Sequence, residues 1–193
     1  MLIYLNDQSA KLCKHLQKFQ LLPVIPYNIG QLKEKKASIS ITCNEELKEL
    51  SLNFLFDYLV FPDNILTACT QWAYEQRNMQ TGDIIVQQIY FPPFKIISQK
   101  IVAGVRIKEI FKEDRLMGFS YETLQGHIEK GISSFLISKT NGYINFAIHT
   151  HSKPNNVILD LLSPLFSSPY QDYCTRKALQ QMKELFKKEN SIA

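Results

Sequence analysis

An α+β fold, in which a meandering antiparallel sheet is closed by a long C-terminal helix, is predicted by three features of this sequence. After Gly82, five segments (DIIVQQIYF, KIVAGVRIKEIF, LMGFSYETL, ISSFLIS and YINFAIHTH) alternate with the period of two that strands show, and turn residues separate them. Asn141-Gly142, between the last two, is a dipeptide that adopts positive φ readily and closes a two-residue hairpin. Beyond residue 168, Cys174, Ala178, Met182 and Leu185 form an apolar stripe at helical spacing.

The remaining elements follow in chain order. Residues 1–36 read as an N-terminal helical extension packed on a domain that spans 37–193. Ser9 caps its helix, Leu12, Leu16 and Phe19 share one face, and LLPVIPYNIG breaks it. KASISITCN reads as a short strand, and EELKEL suits a helical turn. Phe54, Phe56, Tyr58 and Val60 alternate with Leu55, Asp57, Leu59 and Phe61, which predicts a strand ended by Pro62. Asp63 then caps a helix with Ile65, Leu66, Cys69, Trp72 and Ala73 on its apolar face, and Trp72 reads as core. Pro92-Pro93 marks a loop, because proline cannot donate to a central ladder. Two helical pieces end the chain. Asn155 or Asn156 caps the first, which buries Val157, Ile158, Leu161 and Leu162 and stops near Ser163-Pro164. Ser168 caps the second, with Pro169 at its first position and Gln171 completing a capping box.

Composition excludes several classes. The chain has 193 residues, of which 45% are hydrophobic and 21% charged, which suits one globular core and not a disordered segment. A net charge of +4 spread along the chain lacks the single basic face of a nucleic-acid binder, so no nucleic-acid partner is expected. No stretch reaches the roughly 18 apolar residues of a membrane span, and the N-terminus lacks a signal peptide's apolar core. Cys13, Cys43, Cys69 and Cys174 are scattered without metal spacing and read as reduced thiols, so a soluble cytoplasmic protein is expected. No phosphate loop, dinucleotide fingerprint, hydrolase elbow or zinc spacing appears, and neither a cofactor nor a metal is expected.

The densest run of special residues is MGFSYETLQGHIEKGISSF at 117–135. It resembles the signature of a bacterial and plant family, domain of unknown function nineteen-ninety, which runs roughly Gly-Phe-x-Tyr-Gly-Thr-Leu-x-x-His, then Gly-Glu and a strand. Gly118, Phe119, Tyr121, Thr123, Leu124, His127 and Gly131 match it; Glu122 stands where the pattern has glycine and Ile132 where a glutamate is common. That family is grouped with the START/Bet v 1-like (SRPBCC) superfamily. The resemblance therefore implies a helix-grip fold, a curved sheet packed around the C-terminal helix with an apolar cavity between them. It implies no reaction.

On that reading the cavity candidates are Phe119, Tyr121, Thr123, His127, Arg106 and His149. Tyr121 is either a structural hydrogen-bonding residue or one that orients a ligand's polar end. His127 is a turn cap or an acid, base or ligand. Arg106 is exposed, paired with a carboxylate such as Glu122, or aimed at a ligand anion. His149 and His151 share one strand face, but no third metal ligand of matching spacing is visible. Glu122 or Glu129 replaces the missing family glutamate only if geometry allows. The function these features favour is binding of an apolar or amphipathic small molecule. The alternatives are a cyclase or hydratase-type enzyme on the same scaffold, or a protein-interaction or membrane-surface module without a ligand.

Overall fold

The computed structural model describes residues 2–92, 98–155 and 168–191. Among them are eight strands: β1 (Leu2–Tyr4), β2 (Lys33–Thr42), β3 (Leu66–Thr70), β4 (Ile84–Phe91), β5 (Gln99–Glu113), β6 (Leu116–Thr123), β7 (Glu129–Thr140) and β8 (Tyr143–Pro154). They form one antiparallel sheet in the order β2-β8-β7-β6-β5-β4-β3, with β1 paired to the start of β5. The five-strand meander is β4 to β8, and Asn141 and Gly142 turn the β7–β8 hairpin with positive φ at both positions.

Alternation gives the sheet two differently covered faces. The inner face carries Val105, Ile107, Phe119, Phe135, Ile137, Phe146 and Ile148, packed against Ala178, Leu179, Met182 and Phe186 of the C-terminal helix (Ser168–Glu189). Phe146 and Phe186 meet edge to face at 5.2 Å. This curved sheet gripping a C-terminal helix is the helix-grip arrangement. The outer face carries Ile84, Val86, Val102 and Leu124, covered by Leu12, Leu16 and Phe19 of the N-terminal helical segment. The boundary expected at residue 36 falls inside β2, and β1 joins the sheet directly.

Several expectations are corrected. Residues 53–56 form a short helix, not a strand, and Tyr58 adopts a φ of 61° where the chain reverses. The run is apolar at both parities, so it carried no true period. Its helix is capped from far away, since the backbone N–H groups of Asn53 and Phe54 donate to Glu189. Leu66–Thr70 is a strand, not the middle of a helix. Leu66 belongs to the inner core and Cys69 to the outer one, so apolar residues stand on both faces of this strand and no alternation shows. Helix follows only at Gln71–Tyr74, where Trp72 is buried. Asp7, not Ser9, opens the N-terminal helical segment by accepting the Ser9 N–H at 2.7 Å.

The cysteines are not all reduced, because Cys13 and Cys69 are joined, tying the N-terminal segment to β3, while Cys43 and Cys174 are free. The helical piece expected at 155–162 lies outside the described residues apart from Asn155, which ends β8's turn and donates to the His127 carbonyl. Among the described residues no helix is long and apolar enough to cross a membrane.

Candidate functional site

Between the inner face and the C-terminal helix lies a cavity of about 1130 Å³. Its apolar wall comes from Ile89, Ile101 and Ile148 of the sheet and from Phe61, Ile65 and Leu66 before and in β3. Tyr170, Gln171, Cys174 and Thr175 of the helix close the other side. The volume lies just above the roughly 300–1,000 Å³ of small-molecule pockets, so the space is large enough to admit such a ligand.

One polar row crosses this wall. Strand register sets Tyr121 opposite Ser133, Ser133 opposite Thr150, and Thr150 opposite Lys35. Ser133 and Thr150 share a hydroxyl hydrogen bond of 3.1 Å. The Tyr121 ring packs edge to face with Tyr58, centroids 6.3 Å apart, and Gln87 donates to the Tyr58 hydroxyl at 2.7 Å. Burial raises both phenols above the usual tyrosine range, so each stays a neutral donor. At the far end Lys35 reaches Asp172 of the C-terminal helix at 3.0 Å, joining edge strand to helix.

A second polar group sits beside that end. Glu129 accepts a hydrogen bond from the Gln171 side chain at the cavity mouth. Burial raises the Glu129 carboxyl, against the opposing influence of Ser152 and Lys35. His127 Nδ1 lies 3.0 Å from the Glu129 carbonyl oxygen and 3.1 Å from the Glu129 N–H, so its tautomer sets whether it donates to the first or accepts from the second. Burial lowers the imidazole to about 4, so it is neutral at neutral pH. Burial pushes the Cys174 thiol up to about 11, which removes it as a thiolate nucleophile.

Of the residues expected at the cavity, Tyr121 and His127 line it, whereas Phe119, Thr123, Arg106 and His149 do not. Phe119 lies beneath the wall, stacked on Phe135 with centroids 5.3 Å apart. Thr123 is buried and accepts the Gly131 N–H at 3.1 Å. Arg106 lies on the outer face and donates to the Gln20 and Leu22 carbonyls, holding the N-terminal segment. Glu122, which faces it across the ladder, instead pairs with Lys108 at 2.8 Å and accepts from the Tyr27 hydroxyl at 2.5 Å. The acid that departs from the family pattern is therefore turned away from the cavity. His149 is also outside, bonded to Glu34. Glu129, Ser133 and Thr150 went unrecognised as a set, because only the pairing of β7 with β8 brings them together.

The motif glycines have a steric origin. Gly118 and Gly131 adopt φ values of +155° and +147°, and a Cβ at either would lie 2.2 or 2.0 Å from the carbonyl oxygen of Phe135 or His151. No other residue type fits that approach of neighbouring strands. With these positions explained, the family assignment follows from residues 53–181, which match the profile described as domain of unknown function (DUF1990). The chain belongs to the DUF1990 family.

No curated protein matches this DUF1990 chain. Its similarity to solved structures is one of shape. The hypothetical protein jhp0584 from Helicobacter pylori aligns with a TM-score of 0.57 and 9% identity, over 86% of this chain and 97% of that one. A protein from Arthrobacter aurescens gives a TM-score of 0.50 and 8% identity, over 86% of this chain and 92% of the other. The human StarD13 (DLC2) lipid transfer and protein localization domain gives 0.47 and 12% identity, over 95% of this chain and 98% of the other. At such identities the resemblance concerns the fold alone. The chain is a DUF1990 member with the START/Bet v 1-like fold.

Proposed function

We propose that this DUF1990 protein binds an amphipathic small molecule in the cavity between sheet and C-terminal helix. One observation carries the reading: a ligand-sized apolar space crossed by a single row of hydroxyls, from Tyr121 through Ser133 to Thr150, that ends at the Lys35 ammonium. Apolar walls supply affinity by burying hydrocarbon, and a few placed polar groups fix orientation. The ligand's polar end carries a hydroxyl, carbonyl or carboxylate laid along that row. The lipid transfer named for the StarD13 domain is in keeping with such a ligand but identifies none.

Catalysis of the cyclase or hydratase type is the second reading, and Glu129 favours it. Its carboxyl stands at the cavity wall and partial burial raises it, the direction a general acid requires. The Cys13–Cys69 bond counts against the cytoplasmic location expected from scattered thiols, because reducing compartments disfavour disulfides.

Native mass spectrometry of protein purified from its own host, with solvent extraction, tests binding. The expected result is a stoichiometric small molecule whose occupancy falls in Ala37→Phe, which fills the cavity from β2. An apo mass, combined with failure to take up an apolar fluorescent probe, overturns it. Turnover of the extracted compound that Glu129→Gln abolishes would move the assignment to an enzyme.

A further inference from the structure

His149 and His151 stand two apart on β8 and share its outer face, so the partner strand decides what completes the pair. β2 sets Glu34 opposite His151 and Lys36 opposite His149. Glu34 Oε1 lies 2.8 Å from His149 Nε2 and 3.5 Å from His151 Nε2. The imidazole centroids are 4.5 Å apart, and one ligand atom from each of the three residues lies within 4.8 Å of the other two. We propose that Glu34, His149 and His151 form a binding site for a divalent transition ion of the zinc class, clasping edge strand β2 to β8.

The donor set selects the ion. Two imidazoles and one carboxylate suit zinc, cobalt, nickel or copper, whereas calcium and magnesium need an oxygen shell that is not assembled here. A tetrahedral ion bonded at about 2.0–2.2 Å holds its ligand atoms roughly 3.3 Å apart. The two spacings from Glu34 Oε1, 2.8 and 3.5 Å, bracket that value, and the two histidine ligand atoms lie within 4.8 Å of one another. Three protein ligands leave a fourth position for water.

Little ordering is required to form the site. The histidine spacing is set by one strand, and the carboxylate comes from the strand hydrogen-bonded to it. All three side chains are partly exposed, so an ion reaches them from solvent. Across β8 on the other side stand Ser134 and Ile132, which bring no competing charge. Lys36 is the competitor, bonded to Glu34 Oε1 at 2.8 Å. It keeps a partner when the ion binds, because the second carboxylate oxygen remains. The register explains why the sequence displayed no third ligand: Glu34 is more than a hundred residues from the histidines and lay in a segment read as the end of an extension.

Zinc titration of the full chain by calorimetry, with cobalt(II) absorption as a second readout, tests the site. One ion per chain is expected, with a cobalt spectrum of nitrogen and oxygen ligation lacking thiolate charge transfer. His149→Ala, His151→Ala and Glu34→Gln are each expected to weaken binding by at least about tenfold. Lys36→Met is expected to tighten it, and His15→Ala to leave it unchanged. No binding by the wild-type chain overturns the proposal. So does binding that survives the His149→Ala/His151→Ala double substitution, or binding indifferent to Glu34→Gln, which would mark adventitious capture by imidazoles alone.

Discussion

Gln87 and Gln88 are neighbours on β4 that point to opposite faces, and their surroundings differ as the two faces do. Gln88 is enclosed: its amide nitrogen donates to Asp7, Thr67 and Tyr90, and its oxygen accepts the Gln8 N–H. Gln87 donates to Tyr58 and borders the cavity. On the outer face, Arg106, Tyr27 and the Cys13–Cys69 bond likewise seat the N-terminal segment against the sheet. That face closes on the chain's own residues, whereas the inner face keeps its polar row beside a space of ligand size. Polar side chains in a core therefore serve two ends, fixing a chain segment or receiving a foreign group, and the presence of a covering segment separates the two.

The strongest way to break this contrast is to cut a side chain from each cover. Phe19 is the side chain that the N-terminal segment buries against the outer face, so Phe19→Ala should cost about 3–5 kcal/mol, read from the urea midpoint at unchanged slope. Ile89 lines the cavity and is half-buried, so Ile89→Ala should cost less than about 2 kcal/mol. Equal costs would show that the cavity wall is packed as tightly as the outer face, and the distinction would fall.

Acid sharpens the contrast at the cavity mouth. An unfolded imidazole takes its proton as pH falls through about 6.5, whereas His127 in the folded chain takes it only near 4. The stability owed to neutral His127 is thus fully present above pH 6.5 and is lost as pH falls toward 4, amounting to at most about 3 kcal/mol. Glu129 acts in the opposite sense, since its raised carboxyl binds a proton more readily folded than unfolded. Denaturant melts across this window should therefore show a shallower loss in His127→Gln than in wild type. An unchanged slope would place His127 in contact with bulk water.

The meander, its Asn-Gly turn and the terminal helix were legible in the sequence because each is coded locally, by alternation, by turn chemistry or by one apolar stripe. Residues 53–74 were misread because apolar residues stand at both parities from 54 to 61, which erases the period, and because Glu189 caps their first helix across the fold. The site was legible in part. Tyr121 and His127 stand in the motif, but the hydroxyl row exists only through the register of four strands, and Glu34 meets His149 only through β2. Residue type and spacing foretell a strand's own pattern; they do not say which strand lies beside it.

Tyr121→Phe is the smallest perturbation and separates most directly the two uses of a buried hydroxyl. If the row receives a ligand, removing one oxygen leaves Gln87 bonded to Tyr58 and Ser133 bonded to Thr150, and stability should change by about 1 kcal/mol or less. Occupancy by the co-purified molecule should fall, because the phenol that would orient its polar end is gone. If the row is structural, as the Gln88 network is, the partners left behind are buried without alternatives and the cost rises to about 1–3 kcal/mol with occupancy untouched. Measuring melting and ligand occupancy on one preparation decides between them, since the two uses move the two readouts in opposite proportion.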